Sequence, residues 1–285
     1  MHRISGALSL FIHKRGKMII IDNLYGAFEA PDWLTPIFLS PEVQRLRGVR
    51  LINTSSSNCP SLSDVHRYTH TMGVLYLASK IRNRFIEYFS SKEFNELLVA
   101  ILLHDVGTPP FGHIFEYQLR ALKGWDHEKI VSDIVYGTYR PEKRYHQIYF
   151  NNTLRLRDEL EYSGLNIESI LSIIRGDGLK GKVLSNSIDL DNIDNVVRMS
   201  LHLGLNIEKG LAGKLVEFFM FKEDSILFDR QSIPLIQEWL AYRQKAYHIL
   251  LFDECILSGQ AMLSECLSIA LQNELIGEEH WFLND

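Results

Sequence analysis

The chain has 285 residues, of which 46% are hydrophobic and 23% are charged. This balance is typical of an ordinary globular protein with one sizeable core. The formal net charge of -5 argues against a protein that coats nucleic acid, because such proteins carry a basic excess. No apolar stretch approaches the roughly 20 residues that a transmembrane helix needs. We therefore expect a cytoplasmic protein with no membrane partner.

The three cysteines and the N-terminal segment limit the possible domain organisation. Three is an odd number, and Cys-x-x-Cys spacing is missing, so the sequence predicts neither a disulfide framework nor a zinc ribbon. Cys255 and Cys266 fall in an apolar helical pattern and are expected to be small core residues. Residues 1–17 contain a short apolar run without a signal-peptide cleavage site. We expect an N-terminal extension over residues 1–17 and a single domain over residues 18–285.

Apolar periodicity predicts a series of helices in the first half of the chain. In residues 74–89 apolar side chains recur at three and four residues, which predicts an amphipathic helix. The run 93–103 predicts the next helix, and 126–136 predicts a third with Asp126 as its N-cap. Residues 137–157 break the pattern with Tyr, Arg, Asn and Pro, and they predict a loop or an insertion near the site.

The second half continues the helical pattern. Residues 167–174, 189–203 and 233–271 are periodic, the last of these as one or two helices, whereas 218–228 predicts a short hairpin or a helix. The predicted fold class is therefore mainly α, a helical bundle with a small β-hairpin or strand elements.

The doublet His104-Asp105 directly follows a strongly apolar run. Burying such a pair without partners costs several kcal/mol, so hydrogen bonds, a charge or a metal must satisfy it. His70 lies at the start of an earlier helical pattern, and Asp191 and Asp194 share the face of a later one. Two imidazoles with two carboxylates suit Fe, Mn, Zn, Ni or Co better than Ca or Mg.

These residues resemble those of the HD-domain phosphohydrolases, whose pattern is a first His, a His-Asp doublet and a distant Asp. The resemblance is strongest to the deoxynucleoside triphosphate triphosphohydrolase branch, the SAM-and-HD-domain-like proteins, and it covers roughly residues 19–271. It is carried by the stretches 19–26, 41–47, 67–74 and 103–116. It implies an HD-domain helical bundle with a divalent transition metal (Fe, Mn, Zn, Ni or Co), Mg being an additional candidate.

The resemblance also implies roles for individual residues. The metal ligands carry over to His70, His104, Asp105 and Asp191, with Asp194 as the second choice for the final Asp. The catalytic candidates around the reacting phosphate are His113, Glu116 and His127. The candidates for substrate binding are Arg67, Gln44, Arg45 and Tyr247.

Each of these groups has a structural alternative. The four ligand candidates could form a hydrogen-bonded network without metal, and the catalytic candidates could be a polar cluster that orients the ligands. Arg67 suits a phosphate because guanidinium binds it in a bidentate way. A structural ion pair from Arg67 to Asp64 or Glu116 would leave the same sequence pattern.

The leading hypothesis is a metal-dependent phosphohydrolase that hydrolyses a nucleotide, such as a deoxynucleoside triphosphate, or a related phosphate ester by metal-activated water. The chain departs from the family at Thr108, where a His is usual, and at Asn192, which replaces a basic residue. The departures favour an alternative, a catalytically weakened nucleotide-binding regulator that retains the metal site. A metal-dependent nuclease is a third hypothesis, against which the acidic balance counts. The resemblance further implies a homo-oligomer.

Overall fold

The computed structural model describes residues 17–54, 56–139 and 156–285. The first of them form an antiparallel hairpin, in which β1 (Lys17–Asp22) pairs with β2 (Gly26–Pro31). Gly26 closes the turn at a φ of 75°, a conformation that glycine adopts without steric cost. Ile20 and Asp22 point inward while Ile19 and Ile21 are exposed, so one face of β1 covers the core.

The remaining regular structure is helical except for a second hairpin. Up to residue 139 the helices are α1 (Thr35–Phe38), α2 (Pro41–Arg45), α3 (Pro60–Ser63), α4 (Arg67–Tyr88), α5 (Ser91–Leu103), α6 (His113–Lys123) and α7 (His127–Val135). From residue 156 they are α8 (Leu156–Ser163), α9 (Ile167–Ile174), α10 (Gly178–Gly181), α11 (Leu190–His202), α12 (Leu211–Val216), α13 (Ile233–Phe252) and α14 (Glu254–Gln272). Short 3-10 turns lie at Asp32–Leu34, Leu46–Gly48, Arg230–Ser232 and Glu278–Phe282.

Helix α4 is the central element, and it packs against α5, α11 and α12. Its 22 residues include a continuous buried face, which is joined by the almost fully buried second half of α5. Helix α5 begins with a capping box between Ser90 and Glu93 and ends at His104, its C-cap residue. Helix α11 begins after Asp189, whose carboxylate accepts from the backbone N–H of Asn192 at 2.6 Å. These starts and ends bring His70, His104 and Asp191 to one region of the bundle.

The second hairpin joins β3 (Phe219–Lys222) to β4 (Ser225–Phe228) through a tight turn. Phe219 and Phe221 are buried and alternate with exposed residues, as expected for a strand with one covered face. The hairpin interpretation of residues 218–228 is confirmed, and with it the predicted class of a mainly α bundle with small β elements.

The predicted helices are confirmed at 74–89, 93–103, 126–136, 167–174 and 189–203, each to within a few residues except that α4 begins at Arg67. Residues 233–271 form two helices, which meet at Asp253 because its side chain caps α14. The expectation of core cysteines is wrong, since Cys255 and Cys266 are exposed on α14. Apolar periodicity shows that a helix has an apolar face but does not show what covers it.

Two sequence expectations fall mainly outside the described residues. The N-terminal extension does so almost entirely, since β1 begins at Lys17. Of the loop predicted for 137–157, residues 140–155 lie outside the description, whereas Leu156 and Arg157 already belong to α8. Among the described helices, none combines the length and apolar character needed to cross a bilayer.

Candidate metal centre

Three of the four predicted ligands lie together at the core of the bundle. His70 comes from the first turn of α4, His104 from the end of α5 and Asp191 from the first turn of α11. One potential ligand atom from each lies within 4.8 Å of the other two. A site built from side chains on facing helices is the usual construction in helical bundles.

The imidazole of His104 is held in one tautomer. Its Nδ1 donates to the backbone carbonyl of Ile101 at 2.7 Å, which leaves the lone pair on Nε2 free. Nε2 is buried and has no hydrogen-bond partner among the described residues. It lies 3.4 Å from Asp191 Oδ1 and 3.5 Å from Asp105 Oδ2. Burial lowers the pKa of His104, but Asp105 and Asp191 outweigh it and raise the pKa. Nε2 is therefore placed to bind a cation, either a proton or a metal ion.

His70 is fully enclosed between two carboxylates. Its Nδ1 donates to Asp194 Oδ2 at 2.7 Å, and its Nε2 lies 2.6 Å from Asp191 Oδ1. Burial lowers the pKa of His70, but the bonds to Asp191 and Asp194 outweigh it and raise the pKa to about 10. Without a metal, therefore, a proton lies between His70 Nε2 and Asp191. A divalent cation can take the place of that proton, because both atoms are metal ligands once it leaves.

Asp105, the fourth predicted ligand, is adjacent to this cluster but is not a member of it. Its Oδ1 accepts from Arg67 Nη1 at 2.7 Å and from Thr108 Oγ1 at 3.1 Å. Its Oδ2 is buried, and no described residue donates to it. Burial raises the pKa of Asp105, but Arg67 and the two imidazoles hold it well below its usual range. The ionised Oδ2 is thus available as a ligand.

The residues present fit a divalent transition metal. Buried polar atoms in proteins almost always have partners, and His104 Nε2 and Asp105 Oδ2 are exceptions that lie 3.5 Å apart. Both are next to the His70–Asp191 pair. The donor set of imidazole nitrogen and carboxylate oxygen is the one that such metals take.

A buried network orients His70 from behind. Asp194 accepts from Tyr25 at 2.7 Å and from Nε and Nη2 of Arg198 at 2.9 and 3.0 Å, in addition to His70. Arg198 also donates to Asp22 at 3.1 Å. With both oxygens occupied by protein donors, Asp194 orients a ligand, and Asp191 is the better candidate for the metal.

Sequence reasoning did not find the contribution of the first hairpin to this network. Asp22 is the last residue of β1 and Tyr25 lies in the turn that follows it, where Asp22 Oδ1 accepts from the backbone N–H groups of Leu24 and Tyr25. Gly73 was also missed, although a side chain there would overlap Asp194. The sequence signals were the resemblances of residues 19–26 and 67–74 to the family, which gave no partner for Asp22 or Tyr25 and no packing role for Gly73.

Arg67 lies beside the centre and forms an ion pair, as the structural alternative allowed, but with a different partner. It pairs with Asp105 rather than Asp64 or Glu116, because α4 and the end of α5 lie side by side. Its Nη1 is engaged, while its Nε is buried without a hydrogen-bond partner in the described part of the chain. Arg67 therefore combines an ion pair with an unused donor.

The three catalytic candidates are also brought near one another. His113 is exposed at the start of α6, and its Nδ1 lies 3.0 Å from Glu116 Oε2. Burial raises the pKa of Glu116, but the bond to His113 and the proximity of His127 and Arg120 leave it lower than usual. Burial lowers the pKa of His127, which also interacts with the His104 backbone. The group thus comprises an exposed imidazole, a carboxylate and a second imidazole whose pKa burial lowers.

The other candidates for substrate binding, Arg45, Gln44 and Tyr247, make contacts with neighbouring protein groups. Arg45 is buried and donates to the carbonyls of Val106 at 2.9 Å, Thr108 at 2.6 Å and Leu283 at 3.0 Å. Gln44 donates to Phe38, and Tyr247 lies under the guanidinium of Arg243 at 4.8 Å. A role of these three residues in substrate binding stays a prediction.

A family model and several curated proteins are similar to this chain. A model of the HD domain matches residues 67–199. A deoxynucleoside triphosphate triphosphohydrolase SAMHD1 homolog of Dictyostelium discoideum is 24% identical over 91% of this chain and 50% of its own length. Uncharacterized protein YwfO of Bacillus subtilis is 21% identical over 81% of this chain and 50% of its own. The chain spans about half the length of these curated relatives.

The solved structures agree in fold. The crystal structure of a phosphohydrolase from Bacteroides thetaiotaomicron matches with a TM-score of 0.71 at 22% identity, covering 89% of this chain and 59% of that one. A hypothetical protein from Aquifex aeolicus gives the same TM-score at 21% identity, covering 94% of this chain and 69% of its own.

Proposed function

Because this chain belongs to the HD-domain superfamily, we propose that it is a metal-dependent phosphohydrolase acting on a nucleotide, such as a deoxynucleoside triphosphate, or on a related phosphate ester. The observation that carries the proposal is the pair of unpartnered buried atoms, His104 Nε2 and Asp105 Oδ2, beside His70 and Asp191. When bound there, a divalent ion supplies Lewis acidity that acidifies a water molecule and polarises a phosphoryl oxygen.

The four ligands are His70, His104, Asp105 and Asp191, and each has a group that fixes its direction. Asp194 holds His70, and the Ile101 carbonyl holds His104. Arg67 and Thr108 hold the far oxygen of Asp105. Such outer contacts set the tautomer and the angle of each ligand, so that it needs little reorganisation to bind.

Arg67 and the residues of α6 serve the substrate. The guanidinium of Arg67 neutralises phosphate charge through donors that Asp105 does not use. As water oxygen adds to phosphorus and the bond to the leaving oxygen breaks, His113 donates its proton to that oxygen while Glu116 orients the ring. His127, whose pKa is lowered, accepts a hydrogen bond or a proton near the water. For Gln44, Arg45 and Tyr247, the resemblance alone supports a role in substrate binding.

The proposal is tested by assaying the full chain on a panel of phosphate esters. The panel contains deoxynucleoside and ribonucleoside triphosphates, monophosphates and pyrophosphate, each with Mn²⁺, Fe²⁺, Co²⁺ or Mg²⁺. Separation of the products distinguishes orthophosphate, pyrophosphate and triphosphate. We expect hydrolysis of at least one nucleotide, with a product that identifies the bond that is cleaved.

The control variants separate this site from a contaminating hydrolase. Asp191→Asn removes a ligand, whereas Asp224→Asn makes the same change in the exposed turn between β3 and β4. Activity must be lost in the first variant and retained in the second. Equal rates for the wild type and Asp191→Asn on every substrate would contradict the proposal.

One observation favours a second candidate, a nucleotide-binding regulator with weak turnover. Thr108 stands where the family usually has an imidazole, and its hydroxyl donates to Asp105 Oδ1. This bond helps to turn Asp105 toward Arg67 and leaves one fewer proton-carrying group at the site. The regulator would be thermally stabilised by a nucleotide without forming product, and Thr108→His would then raise the rate of hydrolysis.

A further inference from the structure

We propose that Asp285 is a positioning residue that holds the segment 281–285 against the loop 108–113, which leads from the His-Asp doublet into the first residue of α6. The inference rests on the proposed function where it concerns turnover. Its structural part, the tie itself, stands on contacts that are independent of any reaction.

The loop has a backbone that needs external support. Phe111 has a φ of 58°, in the left-handed region that a bulky residue other than glycine rarely adopts. Gly112 follows with a φ of 52°. Two successive residues with positive φ create a sharp bend just before His113, the first residue of α6. A bend of this kind persists only when the surroundings hold it.

Asp285 supplies that support through both of its carboxylate oxygens. Oδ1 accepts from the backbone N–H of Phe111 at 2.6 Å, and Oδ2 accepts from the backbone N–H of Arg50 at 2.8 Å. The side chain of Asp285 is only 2% exposed. Its own backbone N–H donates to the carbonyl of Gly48 at 3.0 Å. The carboxylate therefore bridges the strained residue of the loop and the segment that precedes α3.

A second tie runs in parallel through Arg45. Its guanidinium lies 5.2 Å from the ring centre of Trp281 and donates to the Leu283 carbonyl at 3.0 Å. The same group donates to the carbonyl of Thr108, the first residue of the loop, and to that of Val106, two residues before it. Trp281 and Phe282 are buried, which anchors the segment itself. The C-terminal segment thus contacts the loop at Phe111 and, through Arg45, at its start.

The loop carries groups that the proposed reaction uses. A Cβ placed on Gly112 would lie 3.3 Å from Arg67 Nη2, so the loop backbone lies next to the guanidinium. The backbone N–H of His113 donates to Asn53 Oδ1 at 3.1 Å. Freeing Phe111 would let Gly112 and His113 shift relative to Arg67, while no ligand of the metal centre lies in the segment that moves.

The test compares Asp285→Ala with Asp253→Ala in the full chain. Asp253 is a matched control, because its carboxylate also accepts a backbone N–H, that of Ile256 at 2.9 Å, but at the start of α14. Three quantities are measured: amide hydrogen exchange of residues 108–113, bound metal per chain, and kcat with KM on whichever nucleotide the wild type hydrolyses.

We expect Asp285→Ala to exchange the Phe111 amide faster by about tenfold and to retain its metal. We expect kcat to fall roughly ten- to hundredfold, the scale on which a small displacement of reacting groups acts. Asp285→Asn keeps one acceptor and should lie between Asp285→Ala and the wild type. Asp253→Ala should leave the exchange of this loop and kcat unchanged.

Three results would overturn the proposal. Unchanged exchange at Phe111 would show that the tie does not hold the loop. Faster exchange with unaltered kcat and KM would show that the tie does not position the reacting groups. Loss of metal in Asp285→Ala would show a general structural role. If the wild type hydrolyses nothing, the proposed function fails, while the exchange experiment still decides on the tie.

Discussion

A hydrogen bond from His104 to the carbonyl of Ile101 determines what this imidazole can do. It leaves Nε2 as a lone pair that faces Asp105 and Asp191. Hydrogen-bond partners also distinguish Asp191 from Asp194. The two residues share a helical face, so spacing alone does not rank them as metal ligands. Protein donors already occupy both oxygens of Asp194. At the scale of single residues, hydrogen-bond partners therefore favour Asp191 over Asp194 as the candidate ligand.

Gly73 gives a prediction about close packing behind His70. A Cβ at this position would overlap Asp194 Oδ1 and lie against Arg198 Nη2, and both groups are fully buried. Gly73→Ala should lower the free energy of unfolding by about 1–3 kcal/mol, as overpacking does. The change is measured by urea denaturation. It should also weaken metal binding, because Asp194 orients His70.

Gly259 is the matched control for this variant. It lies inside α14, and a Cβ there would meet nothing within 4 Å. Gly259→Ala should raise the free energy of unfolding by up to about 1 kcal/mol, through helix propensity alone. If Gly73→Ala were as stable as the wild type, the described approach of α4 and α11 would be wrong.

Tyr25 gives a second prediction at this scale. Its hydroxyl donates to Asp194 Oδ1 at 2.7 Å, and its ring stacks on Tyr76 at 4.4 Å. Tyr25→Phe keeps the stacking but removes a hydrogen bond to a buried charge, so it should cost about 1–3 kcal/mol of unfolding free energy. Tyr76→Phe removes a hydroxyl from the stacked partner and should cost less. Equal losses in thermal unfolding of the two variants would argue against a special role for the Tyr25–Asp194 bond.

At the scale of elements, the cap at the start of α5 makes a pH-dependent contribution to the free energy of unfolding. Glu93 accepts from the backbone N–H of Ser90 at 2.8 Å and from Lys180 at 2.9 Å. The bond from Ser90 and the nearby charge of Lys180 lower the pKa of Glu93 below its ordinary 4.5. Because the folded-state pKa is depressed, this stabilisation is present above the ordinary value and is lost as the pH falls through the lowered one.

Glu93→Ala should therefore destabilise the protein by about 0.5–1 kcal/mol at pH 7, a modest value because the site is partly solvated. The difference from the wild type should shrink as the pH falls below 4. Denaturant unfolding at pH 7 and at pH 3.5 measures it. Glu254→Ala at the first turn of α14 is the control, since it changes a helix-start carboxylate outside a capping box. A difference that persisted unchanged at pH 3.5 would contradict the pKa assignment.

Much of the helical architecture was predictable because it depends on local pattern. The apolar periodicity predicted the extent of α5, and Asp126, whose side chain caps the helix, predicted where α7 begins. The contribution of Tyr25 was not predictable, because it contacts a residue 169 positions away and no local pattern encodes that distance. The exposure of Cys255 likewise depends on packing between elements. The resemblance supplied the ligand order and ranked Asp191 before Asp194, whereas the donors that occupy Asp194 were visible only in the structure.

At the scale of the whole molecule, the candidate centre joins distant parts of the chain. His70, His104 and Asp191 come from three helices, and α4 packs against both of the others. The β1–β2 hairpin contributes Tyr25, which binds the Asp194 carboxylate that holds His70. The segment 281–285 contacts the loop that follows the doublet. The bundle therefore brings ligands, supporting groups and proposed substrate groups to one place.

The most direct test of the central claim is elemental analysis of the purified full chain after reconstitution with Mn²⁺, Fe²⁺, Co²⁺ or Zn²⁺ and removal of free ions. We predict about one divalent ion per chain in the wild type, a clear loss in His104→Ala and Asp191→Asn, and retention in Asp224→Asn. A folded wild type that takes up none of these ions, or equal uptake by His104→Ala, would contradict the account.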